Sequence, residues 1–280
     1  MATRELDCAG RMLTLDRPRV MGVLNVTPDS FSDGGQWLGK SAAIDHALAM
    51  QEAGADIIDI GGESTRPGAQ AVSLQQELDR VLPVIEAVAP NLSIPLSIDT
   101  SKPDVMRAAV HAGAGMLNDV YALRMHGAVE AAAELAVPVC LMHMQGEPRV
   151  MQNDPVYEDV GAEIRQFLLQ RASECEAAGI SQHKILLDPG FGFGKTLQQN
   201  IELFHSLSEL VSSGYPVLVG VSRKAMIGGL TGRDVSQRTA GSISAAVLAA
   251  QAGASIIRVH DVAETHDALK VATALWQGWA

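Results

Sequence analysis

Eight apolar runs recur along the chain, and each ends in a short polar or glycine-rich cluster. The first, Val20 to Leu24, delivers NVTPDSFSDGG from Asn25. The others lie within ADIIDIGGESTRPG from Ala55, PLSIDTSK from Pro95, MLNDV from Met116, PVCLMHMQG from Pro138, KILLDPGFGFGK from Lys184, PVLVGVSRK from Pro216 and SIIRVHD from Ser255. Continuous apolar runs, rather than alternating ones, mark strands buried on both faces. The stretches 42–53, 74–89, 103–112, 128–135, 160–178, 200–211, 242–251 and 263–276 are rich in Ala, Leu, Glu and Gln with mixed faces, and read as helices. Gly54, Gly113 and Gly253 fall where three of these helices would stop in a left-handed cap just before the next strand. Strictly alternating strands and helices require a parallel sheet, and eight such units predict a single α/β domain, a (β/α)8 TIM barrel.

Length supports one barrel. The chain has 280 residues, against roughly 250 for a typical single barrel. Residues 1–280 are therefore read as one domain, with 1–19 as an N-terminal extension leading into it. The formal charge of −11 repels polyanions, so no nucleic-acid partner is expected. Cys8, Cys140 and Cys175 have no metal-like spacing, and Cys140 sits within an apolar run, which favours buried thiols in a reducing, cytoplasmic setting. No run approaches the ~18 apolar residues of a membrane span and no secretory h-region is visible, so neither membrane nor export is expected.

In a parallel barrel, the reacting groups gather at the carboxyl ends of the strands, where the βα loops converge. That rule nominates Asn25, Thr65 with Arg66, Asp99, Asn118, His143, Asp188, Ser222 with Lys224, and Arg258 with His260. Arg66, Lys224, Arg258 and His260 form a cationic set on an acidic protein, and Thr65 adds a donor, which suits a phosphate or pyrophosphate; scattered surface ion pairs are the plainer reading. Asp99, Asp188 and Asn118 rise from apolar strands and need hydrogen-bond partners. Either Arg and Lys satisfy them internally, or a ligand with adjacent N–H groups does, such as the 2-amino-4-oxo edge of a pterin or guanine.

Other features carry less. GFGFGKT from Gly190 is not a nucleotide phosphate loop, because three residues separate Gly190 from Gly194 where that pattern needs four. Its glycines let the backbone bend over a ligand, with Phe191 or Phe193 free to cover it. His143, flanked by Met142 and Met144, reads equally as a site residue or as packing and stays outside the catalytic set. His111, His126, His183, His205 and His266 read as surface residues. Thr27 to Lys40, with Gly34, Gly35 and Gly39, has the composition of an active-site lid.

NVTPDSFSDGG from Asn25, GGESTRPGA from Gly61, SIDTSKP from Ser97, LLDPGFGFGK from Leu186, GVSRKAMIG from Gly220 and IIRVHDV from Ile256 occur in order. From about Val20 to its end, the chain thereby resembles the dihydropteroate synthases, pterin-binding enzymes of folate biosynthesis. The resemblance implies a transferase that joins 6-hydroxymethyl-7,8-dihydropterin pyrophosphate to 4-aminobenzoate with Mg2+, releasing pyrophosphate. It implies Asp99 and Lys224 as catalytic residues, and Asp99, Asn118, Asp188 and Lys224 as pterin contacts. Asn25, Thr65, Arg66, Arg258 and His260 would meet pyrophosphate, with Asn25 also on the metal. Phe31, Pro67, Phe193 and Ser222 would shape the aminobenzoate site, which sulfonamides would share, while Tyr121 to Met125 has no assigned role. A homodimer is implied as well. A pterin-dependent methyltransferase domain, a non-catalytic pterin-binding protein and a Schiff-base aldolase using Lys224 are the alternatives.

Overall fold

The structure, a computed structural model, describes residues 4–26, 35–64, 70–146, 151–152 and 154–277. The chain opens with an antiparallel hairpin of β1 (Glu5–Cys8) and β2 (Arg11–Thr14), in register from Glu5 opposite Thr14 to Cys8 opposite Arg11. The turn places Ala9 and Gly10 at positive φ, and the Gly10 N–H donates to Asp7 Oδ1 at 2.7 Å.

The barrel follows. β3 (Arg19–Asn25), β4 (Ile57–Gly61), β5 (Leu96–Asp99), β6 (Met116–Asp119), β7 (Val139–Met142), β8 (Ile185–Asp188), β9 (Leu218–Val219) and β10 (Ile256–Val259) form one parallel sheet of eight strands, ordered β8-β7-β6-β5-β4-β3-β10-β9. A bridge between Leu187 and Val217, with Leu187 N–H donating to Pro216 O at 3.0 Å, closes the sheet between β8 and β9. The helices are α1 (Gly35–Glu52), α2 (Leu74–Val88), α3 (Pro103–His111), α4 (Ala128–Leu135), α5 (Val160–Ala177), α6 (Leu197–His205), α7 (Leu207–Val211), α8 (Ala225–Thr231), α9 (Thr239–Gln251) and α10 (Val262–Gln277). Gly54, Gly113 and Gly253 have φ of 96°, 119° and 100°, as their place before the strands predicts.

Strand alternation separates two cores. Val20, Ile58, Ile60, Ile98, Leu117, Leu141, Leu187 and Ile257 face outward into the layer shared with the helices. Met21, Ile57, Met116, Cys140, Leu186, Leu218 and Ile256 form a separate cluster with Leu6, Cys8 and Leu13 of the hairpin. The N-terminal extension is thus a plug that seals the amino end of the barrel. Its fit is close enough that a Cβ on Gly115 would stand 2.3 Å from Cys8 O. Each such Leu, Ile or Met contributes about 1.5–3 kcal/mol by leaving water. All three cysteines are free and buried, and burial pushes the Cys8 thiol up to about 12.

Several elements differ from the sequence expectation. Helix α1, expected over 42–53, begins at Gly35 and so overlaps the stretch 27–40 read as a lid. The hairpin was expected only as an extension. The helix expected over 200–211 begins at Leu197 and breaks at Ser206, whose hydroxyl donates back to Leu203 O at 3.0 Å and so competes with the helical ladder. Helix α8, AMIGGLT, was not expected because its paired glycines weaken a helix.

Candidate active site

Above the apolar floor, the next interior positions are polar. Register sets Asp59 beside Val23 and Ser97, Gly61 beside Asn25 and Asp99, and Asp99 beside Asn118. Arg258 on β10 reaches across to join them. Its Nε donates to Asp59 Oδ2 at 2.7 Å and its Nη2 to Asp99 Oδ2 at 2.9 Å, while Asn118 Nδ2 donates to the same Asp59 Oδ2 at 3.0 Å. Burial pushes the Asp99 carboxyl up to about 7; Arg258 opposes this, and Asp59, Asp119 and Glu77 add to it by repulsion. Burial works against charge on Arg258, but Asp59 and Asp99 outweigh it and raise its basicity. The internal partner that a buried carboxylate requires is therefore present for Asp99, and it is one of the predicted anion contacts.

Asp188 ends β8 on the opposite wall. Burial raises its carboxyl, with Lys224 pulling the other way, and its Oδ1 accepts the Gly190 N–H at 2.7 Å. Gly190 has φ 69°, and a Cβ there would lie 1.9 Å from His143 O, so only glycine lets the loop pass. Lys224 caps the start of α8 and donates to Phe191 O, with its ammonium 4.5 Å from the centre of the Phe193 ring. Burial brings Lys224 down to about 8; Asp188 opposes the fall and Arg258 assists it. The preceding Arg223 is held at φ 57° by Asp261, which accepts from its Nε at 3.1 Å, and by Ser242 Oγ, which accepts its N–H at 2.9 Å. Ser222 Oγ accepts the His260 N–H at 3.2 Å and lies 3.1 Å from His260 Nδ1.

Of the residues nominated from sequence, the structure gathers Asp99, Asn118, Asp188, Lys224, Arg258, His260, Ser222 and Phe193 around one mouth. Asn25 joins them at the end of β3: its Oδ1 and Asp99 Oδ2 each lie 3.9 Å from the point a Gly61 Cβ would occupy. Thr65, Arg66, Pro67 and Phe31 lie outside the described residues, as do residues 27–34 of the stretch 27–40 read as a lid; residues 35–40 of that stretch are the start of helix α1 rather than lid. Phe191 is not free to cover a ligand, being fully buried with its ring centre 5.5 Å from that of Phe204. Among the described residues, the side chain of His143 makes packing contacts and one polar contact, to Lys195. It is buried, meets the Phe167 ring edge-on at 5.0 Å and stands 3.2 Å from Lys195 Nζ; burial, with Lys195 and Arg124, drives it down to about 2. His111, His126, His183 and His205 are exposed and His266 is half-buried, in keeping with a surface role.

Asp59 and Lys195 were missed. Asp59 is a charge inside IIDIG, two positions before Gly61 and so on the same interior face; that parity was the available signal. Lys195, 3% exposed, donates to Gly190 O at 2.8 Å and Phe193 O at 2.9 Å, and so staples the glycine loop that carries Phe193. The unassigned tract also finds a place. Asp119 accepts the Tyr121 and Leu123 N–H groups at 2.8 Å each, holding Ala122 and Leu123 left-handed, and Tyr121 packs with Phe193 against Val120, Met142, Met144 and Met151.

No group of three or more His, Cys, Asp or Glu able to hold a metal exists among the described residues. The neutral Asn25 oxygen beside the cationic cluster fits a Mg2+ that keeps its waters and arrives on substrate phosphates, since that ion uses few protein oxygens in such sites.

The model of the pterin binding enzyme family matches residues 21–260. Dihydropteroate synthase of Escherichia coli K12 is 53% identical over 270 residues, covering 96% of each chain. The structure of Xanthomonas albilineans dihydropteroate synthase with 4-aminobenzoic acid superposes with a TM-score of 0.93 at 57% identity, covering 98% of this chain and 99% of that one. The same enzyme in complex with 7,8-dihydropteroate gives a TM-score of 0.88 at 54% identity, covering 97% and 98%. The chain belongs to the pterin-binding enzymes, within their dihydropteroate synthase group.

Proposed function

We propose that the barrel mouth condenses 6-hydroxymethyl-7,8-dihydropterin pyrophosphate with 4-aminobenzoate to give 7,8-dihydropteroate and pyrophosphate, a transferase step of folate biosynthesis. The observation that carries this reading is the Arg258 guanidinium bridging Asp59 and Asp99 beside Asn118, at the ligand-facing end of the strands. Asp188 and Asn118 offer acceptors for the pterin N–H edge, and Lys224 offers a donor. Arg258, His260 and Asn25 would meet the pyrophosphate; Thr65 and Arg66, which the family resemblance adds to that set, lie outside the described residues. The pterin methylene loses its bond to the pyrophosphate oxygen and gains one to the amine nitrogen, which then releases a proton. Departure of pyrophosphate leaves positive charge on the pterin, and Asp99 stabilises it. Bound Mg2+ would supply charge neutralisation to the leaving group. The arylamine is uncharged at neutral pH, so no strong base is required, which fits a mouth where positioning and electrostatics dominate.

Phe193 and Ser222, with Phe31 and Pro67, would form the aminobenzoate site. A homodimer is supported by an exposed apolar face on α9 and α10, where Leu248, Val271, Leu275 and Trp276 are 52%, 61%, 80% and 41% exposed. No helix among the described residues is long and apolar enough to cross a membrane, and the three free thiols favour the cytoplasm. The reading is tested by incubating the pure protein with both substrates and Mg2+; dihydropteroate and pyrophosphate are expected in equal amounts, and their absence would overturn it.

A further inference from the structure

Asp59 has no assigned part in the reaction, yet it is fully buried at the centre of the polar layer. Among the described residues its Oδ1 has no hydrogen-bond partner, so all of its hydrogen bonding runs through Oδ2. That one oxygen takes two donors, Arg258 Nε and Asn118 Nδ2. A buried carboxylate is costly, and one that spends a single oxygen on two site residues is poorly explained by fold stability alone.

We propose that Asp59 is a positioning residue, which aligns the anion-binding Arg258 and the pterin-binding Asn118 by holding both on one carboxylate oxygen. The geometry gives it two tasks. Binding Arg258 through Nε keeps the guanidinium plane fixed while Nη2 reaches Asp99, so the cation cannot collapse wholly onto Asp99 when the mouth is empty. Taking Nδ2 of Asn118 sets the amide the other way round from what an Arg or Lys neighbour would impose: Oδ1 turns away from Asp59 as an acceptor for ligand N–H groups. Asp59 thereby couples pyrophosphate recognition to pterin recognition. Its neighbours on adjacent strands, Val23 and Ser97, offer no competing cation.

The inference rests on the synthase reading, and its test separates the two. Asp59→Leu, Asp59→Asn, Arg258→Ala and the double variants would be compared by steady-state kinetics, with thermal melts as a control and binding of 6-hydroxymethylpterin read by calorimetry. Asp59→Leu should lower kcat/KM for the pterin pyrophosphate by about 30-fold and weaken pterin binding, with KM for aminobenzoate within about 2-fold of the parent. Asp59→Asn keeps an acceptor oxygen without the charge and should lose about 5-fold. In the Arg258→Ala background either substitution should lose far less than it does alone, because residues acting as a unit are not additive. Undiminished losses in that background, or an Asp59→Asn variant equal to the parent, would overturn the proposal. Should Asp59→Leu not fold, the Asp59→Asn pair decides by the same criterion. A parent protein that makes no dihydropteroate would overturn the synthase reading, while the pterin calorimetry still tests Asp59.

Discussion

Arg258 Nη2 lies 2.9 Å from Asp99 Oδ2, so the cation proposed to meet the leaving group touches the carboxylate proposed to face the forming cation. On that reading one contact links the two residues that meet the opposite charges separating on the substrate. Substituting Asp99→Asn keeps the shape and removes the charge. Turnover should fall by ~100-fold or more, as for other lost transition-state contacts. Stability should move the other way. The folded carboxyl sits at about 7, above the ~3.9 of an exposed Asp, so the folded state holds an extra proton between these values and Asp99 costs stability as pH rises from about 4 to about 7. The melting-temperature difference, variant minus parent, should therefore grow from about pH 4 to about pH 7 and level off above; a difference that stays flat or shrinks across that range contradicts the raised Asp99 carboxyl.

The same carboxyl shapes the rate. An ionised Asp99 is needed, so kcat/KM should rise through about pH 7. A protonated Lys224 is needed as donor, so it should fall above about pH 8. The profile is a narrow bell. In Asp99→Asn the acid limb should vanish while the alkaline limb persists, and retention of both limbs would remove Asp99 from it.

On the proposed reading, Lys224 acts through hydrogen bonding and charge rather than as an imine former. Its ammonium already donates to Phe191 O and lies over Phe193. Borohydride added during turnover should leave the mass of the protein unchanged, whereas a reduced adduct on Lys224 would favour the aldolase alternative.

Phe193, proposed to contact the second substrate, is half-buried on the Lys195-stapled loop with Lys224 against its ring. Phe193→Ala should raise KM for aminobenzoate by about 10-fold, the loss expected of one aromatic contact. Arylsulfonamides should compete with aminobenzoate and weaken in parallel, with pterin affinity little changed. Inhibition indifferent to aminobenzoate concentration would place the sulfonamide elsewhere.

Much of the barrel was legible because parallel strands covered on both faces cannot hide: II-I, L-I and ILL runs have no other stable home in water. The site was legible at strand ends, where Asp99, Asn118, Asp188 and Arg258 break those runs. Asp59 was not, because isoleucines flank it and its burial becomes affordable only once Arg258, 199 residues away in sequence, closes on it. Helix α8 was hidden for a related reason. Gly228 reads as a helix breaker until the Arg238 guanidinium is seen where its Cβ would be, 2.3 Å from Nη2, with Nη1 donating to Arg223 O at 3.1 Å. The hairpin plug is too short for its alternation to stand out, with four residues per strand.

On the proposed reaction, the carbon–oxygen bond of the pterin pyrophosphate breaks at the mouth and the arylamine then attacks that carbon. Substrate carrying 18O at the bridging position, turned over with 4-aminobenzoate and Mg2+, reads this directly by mass spectrometry. The label is expected wholly in the released pyrophosphate, alongside an equal amount of unlabelled dihydropteroate. Label left on a hydroxymethyl pterin, with no dihydropteroate formed, would contradict the account.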